Sequence, residues 1–207
     1  MSIRLKKYSY RFAEQVFNGK VALKNELEDI LYDATKDLKN LTRPNFNAIL
    51  DEAFKAHGWN SQPPVFGAED DAYARFDFLK DRVGVEVQFG HSSFIGIDLL
   101  KFQVASYSSL DTIDFGVYIT TTKAFQKHLQ TTYGHKWDGS LTFEKVTRYL
   151  PHIRSAIQVP IYVIGIDIFP LDCMPEDKDE ENVQCELIRA VMQLAEQCGK
   201  TAGEHLN

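Results

Sequence analysis

Cysteine is scarce in this chain, with three in 207 residues, at positions 173, 185 and 198. An odd, widely spaced set encodes neither a disulfide framework nor a paired metal site, so a reducing, cytoplasmic setting is expected. The six histidines, His57, His91, His128, His135, His152 and His205, never fall at the His-Glu-x-x-His spacing of a zinc helix. Gly-x-Gly-x-x-Gly, Walker and Gly-x-Ser-x-Gly sequences are missing too. Neither a nucleotide cofactor nor a serine elbow therefore has local support. Positive charge is in the minority: 23 Lys plus Arg stand against 29 Asp plus Glu, for a net charge of -6. That argues against a blanket basic coat for nucleic acid but leaves room for a local basic cleft. No apolar run approaches the roughly 20 residues of a membrane span. The opening MSIRLKKYSY lacks the apolar stretch of a signal peptide.

What is present suits a globular core: 44% of residues are apolar and 25% charged. No repeat or low-complexity linker divides the chain, so residues 1–207 are expected to form a single domain. Helical spacing of Phe12, Val16, Leu23, Leu27, Ile30 and Leu31 predicts helix within 10–39, with Gly19 as a break. A second helix begins at Pro44 and carries Phe46, Ile49, Leu50 and Phe54 on one face, with Gly58 to end it. NSQPPVFGAEDDAYA is a loop by composition. Helices are predicted over 96–110, over KAFQKHLQ behind a Thr121 or Thr122 cap, over LTFEKVTRYL up to Pro151, and over 181–197 after the acidic run 176–181. DFGVYITT and IYVIGIDIF read as buried strands. Helices before, between and after strands predict an α/β fold with a central mixed sheet flanked by helices.

The chemistry-bearing stretch is FDFLKDRVGVEVQFGHSSF, residues 76–94. Val83, Val85 and Val87 alternate with Gly84, Glu86 and Gln88, and Phe76 and Phe78 flank Asp77. Paired antiparallel, the two short strands set Asp77 beside Glu86, where the carboxylates repel unless a cation lies between them. Mg²⁺ is commonly held by one or two carboxylates plus water and phosphate oxygens. Gln88 shares the side of Glu86, and its amide can orient water or phosphate. Ordinary polar positions on a sheet edge, and on a helix for Glu52, also fit these residues.

The segment DFLKDRVGVEVQFGHSSFIGIDLL resembles the catalytic segment of type II restriction endonucleases that cut palindromes built on a GATC core, within the PD-(D/E)xK nuclease superfamily. The resemblance continues through SLDTIDFGVYI to PIYVIGIDI, spanning roughly 44–169. It implies a restriction-endonuclease-like fold, with Asp77 and Glu86 binding Mg²⁺. Gln88 takes the place of the wider superfamily's lysine, and Glu52 is an additional glutamate on the preceding helix. Phe76 departs from the proline that usually precedes the aspartate. Double-stranded DNA and a homodimer are implied, each subunit cutting one strand, with a catalytic and dimerisation core over about 44–169. His91, Ser92 and Ser93 would approach base edges, although relatives commonly carry asparagine or lysine where His91 stands. The loop 133–140, with Lys136, would make outer contacts. Lys80, Arg82, Lys101, Lys136, Arg148, His152 and Arg154 are available for phosphates. A cognate DNA methyltransferase is expected in the host. Ile97, Leu100, Val104 and Tyr107 offer an apolar helix face to a second copy. An inactive DNA-binding protein and a metal-dependent phosphodiesterase acting on RNA or a small substrate remain as other classes.

Overall fold

Period-two alternation at the first residues, where Ile3 and Leu5 alternate with Arg4 and Lys6, makes a strand that the sequence reading above did not anticipate. A computed structural model of the protein describes residues 2–65, 74–107, 111–137 and 139–169. The cysteines, the acidic run and the helix expected over 181–197 lie outside the described residues. The elements are β1 (Ser2–Tyr10), α1 (Ala13–Asn18), α2 (Val21–Ala34), α3 (Arg43–Ala56), β2 (Asn60–Ser61), β3 (Phe78–Lys80) and β4 (Val83–Val87). They continue with α4 (Ile95–Tyr107), β5 (Phe115–Thr121), α5 (Lys123–Tyr133), α6 (Phe143–Tyr149) and β6 (Ile161–Phe169).

The strands form one mixed sheet in the order β1-β6-β5-β4-β3-β2. β4, β5 and β6 run parallel. The connections β3–β4 and β2–β3 are antiparallel, and β1 returns antiparallel along the whole of β6. Every described side chain of β5 is buried, as its continuous apolar run requires of a central parallel strand. Helices cover both faces. Phe17, Leu27, Phe46, Leu50, Phe54, Phe125 and the strand residues Val85, Val117 and Ile164 form one core layer. Leu99, Phe102 and Val146 pack with Tyr118 and Val163 in the other. The segment expected to be helical over 10–39 is divided at Gly19, and α1 is preceded by Arg11 and Phe12 at φ 52° and 62°.

Two glycines set how closely helices approach the sheet. A Cβ on Gly116 would lie 2.5 Å from Phe102 Cδ1, and one on Gly165 would lie 2.6 Å from Phe143 Cδ2. The missing side chains let α4 and the start of α6 press their aromatic rings onto β5 and β6. Thr122, one of the two expected caps, accepts from the Phe125 N–H at 3.1 Å.

Candidate active site

The hairpin that carries the carboxylates is built by its turn. Asp81 and Arg82 both adopt positive φ, 48° and 62°, the backbone of a two-residue turn whose twist matches that of the flanking strands. Phe78 then pairs with Val85, and the same register carried back one residue sets Asp77 against Glu86. The flanking phenylalanines do not share a face: Phe78 joins the α3-side core and Phe76 the α4-side core. The chain crosses between layers at Asp77, which leaves its carboxylate at the head of the hairpin.

Asp77 is held from two sides. Its Oδ2 accepts from the Val87 N–H at 2.7 Å, and its Oδ1 accepts from Gln62 Nε2 at 3.2 Å. Glu86 is 3% exposed, and both of its oxygens accept from Lys101 Nζ, at 2.8 and 2.9 Å. The same ammonium reaches the Arg75 carbonyl at 3.0 Å and Asp98 Oδ1 at 3.4 Å. Asp98, buried in α4, accepts at Oδ2 from Tyr118 Oη at 2.8 Å and from Gln88 Nε2 at 3.0 Å. Gln88 Oε1 accepts from the Gly90 N–H at 2.7 Å. The amide of Gln88 is therefore engaged at both ends and fixed in orientation.

Burial raises the Asp77 carboxyl above its ordinary value, against the opposing Val87 N–H and the Lys101 charge. Glu86 is pushed up to about 9, first by burial and then by the negative charge of Asp77, with Lys101 counteracting. Burial alone would lower Lys101, but the charge and hydrogen bond of Glu86 outweigh it and the ammonium is raised. A cleft of about 390 Å³ opens beside Asp77, lined also by Asn47, Asp51, Ser61, Gln62 and Val87.

No group of three or more His, Cys, Asp or Glu is placed to cage a metal among the described residues. The donor set nonetheless fits a hard divalent ion. Burial drives both carboxyls toward their neutral forms, Glu86 further through the charge of Asp77, and a cation between them would relieve both, with water and phosphate completing its coordination.

The helix carboxylate that lines this cleft is Asp51, held by Ser61 Oγ at 2.8 Å and Lys55 Nζ at 2.6 Å. Glu52, the residue expected there, is exposed; one step along a helix rotates a side chain by roughly 100°, away from the cleft. Sequence reasoning also passed over Gln62, Asp98 and the partnership of Lys101 with Glu86. The spacing of Asp98 and Lys101, one turn apart on α4, was the available signal.

The segment after β4 and the loop expected to make outer contacts do meet. His91 bridges to Ser140, and the Ser92 N–H donates to the Gly139 carbonyl at 3.3 Å. His91 is exposed, and its Nδ1 lies 2.9 Å from Ser93 Oγ. Ser92 Oγ accepts from Lys145 Nζ at 2.6 Å. A cleft of about 760 Å³ beside them is lined by Ser92, Ser140, Lys123, Lys145, Arg148 and His152 among others. Lys136 is exposed on the neighbouring loop. Three of the cations available for phosphate are otherwise engaged: Lys80 with Glu26, Arg82 with Asp111 and Asp114, and Lys101 with Glu86.

A mixed sheet covered by helices on both faces, with a carboxylate-bearing hairpin next to its parallel strands, defines the restriction-endonuclease class of α/β proteins. The profile of the restriction endonuclease BglII/BglIII family matches residues 5–166, and the chain belongs to that family. Its fold is similar to that of restriction endonuclease BglII complexed with a DNA 16-mer, with a TM-score of 0.62 and 16% identity, covering 82% of this chain and 78% of that one. Free BglII is similar with a TM-score of 0.54 and 17% identity, over 82% of this chain and 81% of that one. At these identities the likeness establishes the fold. No curated protein matches the chain. Family membership makes this chain one of a family of DNA-cleaving enzymes.

Proposed function

We propose that this protein is a Mg²⁺-dependent, site-specific endonuclease of double-stranded DNA. On this reading it is a single nuclease domain that acts as a homodimer on a short palindrome containing GATC. The observation that carries the reading is the pairing of Asp77, which lines an open cleft, with the buried Glu86 on the neighbouring strand of the β3–β4 hairpin. These two carboxylates would hold Mg²⁺, which when bound polarises a phosphate and lowers the pKa of an attacking water. Gln88 orients groups at the site rather than accepting the proton of water, because its amide is neutral and already fixed by Asp98 and Gly90. Ser92 and the exposed His91 and Ser93, at the rim of the basic cleft, are the base-reading candidates, with Lys136 beside them. The relative solved with a DNA 16-mer supports DNA over RNA or a small phosphodiester.

Assembly is supported by the α4 face, where Ile97, Leu100 and Tyr107 are 54%, 47% and 58% exposed. An apolar stripe of that kind marks an interaction surface, and two copies related by a two-fold axis read a palindrome with identical contacts. The test is a genomic digest in Mg²⁺ followed by sequencing of fragment ends. A shared palindrome with GATC at its centre is expected. Ends without a common motif would reject site-specific recognition, and a palindrome lacking GATC would overturn the specificity alone.

A further inference from the structure

The ammonium of Lys101 sits among four oxygens, and it comes from a side chain only 13% exposed. Surface lysines reach for water; this one is turned into the acidic end of the sheet. A lysine ammonium has three N–H donors. Here the two oxygens of Glu86 and the Arg75 carbonyl, all within 3.0 Å, use all three. Asp98 Oδ1 waits at 3.4 Å. Asp98 does not depend on the lysine for its own position, since Tyr118 and Gln88 hold its other oxygen.

We propose that Lys101 is a tethered cation that occupies Glu86 in the metal-free protein and shifts toward Asp98 when a divalent ion takes one of the Glu86 oxygens. Lys101 is then a positioning residue that sets the metal affinity of the site. The inference rests on the metal-dependent reading given above. Both faces of the exchange are built into the geometry. A divalent ion cannot use a Glu86 oxygen fully while an ammonium donates to it, so the two cations compete for the same lone pairs. The competition does not strand the lysine, because Asp98 and the Arg75 carbonyl remain within its reach. Asp98 thus joins the lysine to the catalytic strand through Gln88, and the sequence Gln88–Asp98–Lys101–Glu86 forms one connected polar network.

Isothermal titration of Mn²⁺ into the full-length protein, without DNA, tests the exchange. Lys101→Met removes the competitor while keeping most of the packing volume, and it should bind Mn²⁺ on the order of tenfold more tightly than the unaltered protein. Lys101→Arg keeps the charge and should stay near the unaltered affinity. The melting temperature of Lys101→Met should be depressed in EDTA, and Mn²⁺ should raise it by more than it raises that of the unaltered protein. Asp98→Asn provides an independent arm. It weakens the alternative partner, leaves the lysine on Glu86 and should weaken Mn²⁺ binding, so the inference stays testable if Lys101→Met does not fold. Equal or weaker Mn²⁺ binding by folded Lys101→Met would overturn the inference while leaving the metal-dependent nuclease intact, as would unchanged binding by Asp98→Asn. Failure of the unaltered protein to bind Mn²⁺ at all would overturn both.

Discussion

A carboxylate such as Glu86 is rarely buried without a partner of opposite charge, and its burial beside the half-buried Asp77 has a measurable cost. Glu86 ionises near 4.5 in an unfolded chain and near 9 in the fold. Between those values the folded state binds more protons than the unfolded state, so stability is fully present below the lower one and falls as pH rises toward the upper one. The raised Asp77 adds to the same trend. Thermal unfolding in EDTA should therefore show a melting temperature that declines across this window, and Glu86→Gln should flatten the decline. A flat profile for the unaltered protein would mean that Lys101 keeps Glu86 ionised throughout. In cleavage assays, Asp77→Asn and Glu86→Gln should each lower Mg²⁺-dependent turnover by roughly 10²–10³-fold, as loss of a charge-stabilising group does elsewhere, with DNA binding largely retained in gel-shift measurements. Undiminished cleavage by both variants would reject the assignment. At this scale the sequence announced the two acids and the amide because a hydrophobic strand displays polar exceptions plainly. Gln62 could not be seen in the same way. It lies 15 positions before Asp77, in a segment whose course is set by turns and not by periodicity. Asp51 and Glu52 are adjacent acids, and only the rotation of α3 about its axis decides which one meets the cleft.

Elements show the same division between what local pattern dictates and what packing decides. α3, α4, α5, β5 and β6 follow from apolar spacing, caps and β-branched runs. β1 was not legible, because the exposed Lys7 breaks the apolar alternation begun by Ile3 and Leu5 and its antiparallel partner lies more than 150 residues away. The pairing is reinforced by Asp167 of β6, which accepts from Arg4 Nε at 2.6 Å and from Thr122 Oγ1 at 2.6 Å. That contact ties the first strand, the last described strand and the start of α5 together. The close approach of α4 and α6 to the sheet gives a sharper test. Gly116→Ala forces a methyl into the ring of Phe102, and Gly165→Ala into that of Phe143. Each should destabilise the fold by roughly 1–3 kcal/mol, the usual range for overpacking a dense core. Denaturant unfolding would measure this. Because Phe102 lies one position from Lys101, Gly116→Ala should also change Mn²⁺ binding, whereas Gly165→Ala should leave it near normal. Equal effects of the two on metal binding would show that helix placement does not reach the site.

For the molecule as a whole, the exposed stripe on α4 and the carboxylate pair belong to one argument, since the helix that exposes Ile97 and Leu100 also carries Asp98 and Lys101 to Glu86. Ile97→Glu combined with Leu100→Glu should shift sedimentation at micromolar concentration toward the mass of a single chain. The double variant should lose concerted double-strand cleavage of a cognate plasmid, any residual product being nicked circles. A variant that stays dimeric would move the interface elsewhere, and an unaltered protein that is monomeric with and without DNA would reject the dimer. The net charge of -6 gives no hint of a DNA-binding surface, because Lys123, Lys145 and Arg148 are drawn together beside His152 only by folding.

The register of β1 against β6 also bears on the birth of the enzyme. Ser2 pairs with Phe169 and Tyr10 with Ile161, so one end of the sheet cannot close until nearly the whole described chain has left the ribosome. Translation proceeds at roughly 5–20 residues per second, which leaves the first strand waiting roughly 8–30 s for its partner. A nascent or truncated chain that stops short of β6 therefore lacks the completed sheet on which β5 and β4 rest, and a cell making this protein meets a folded nuclease only after β6 has emerged.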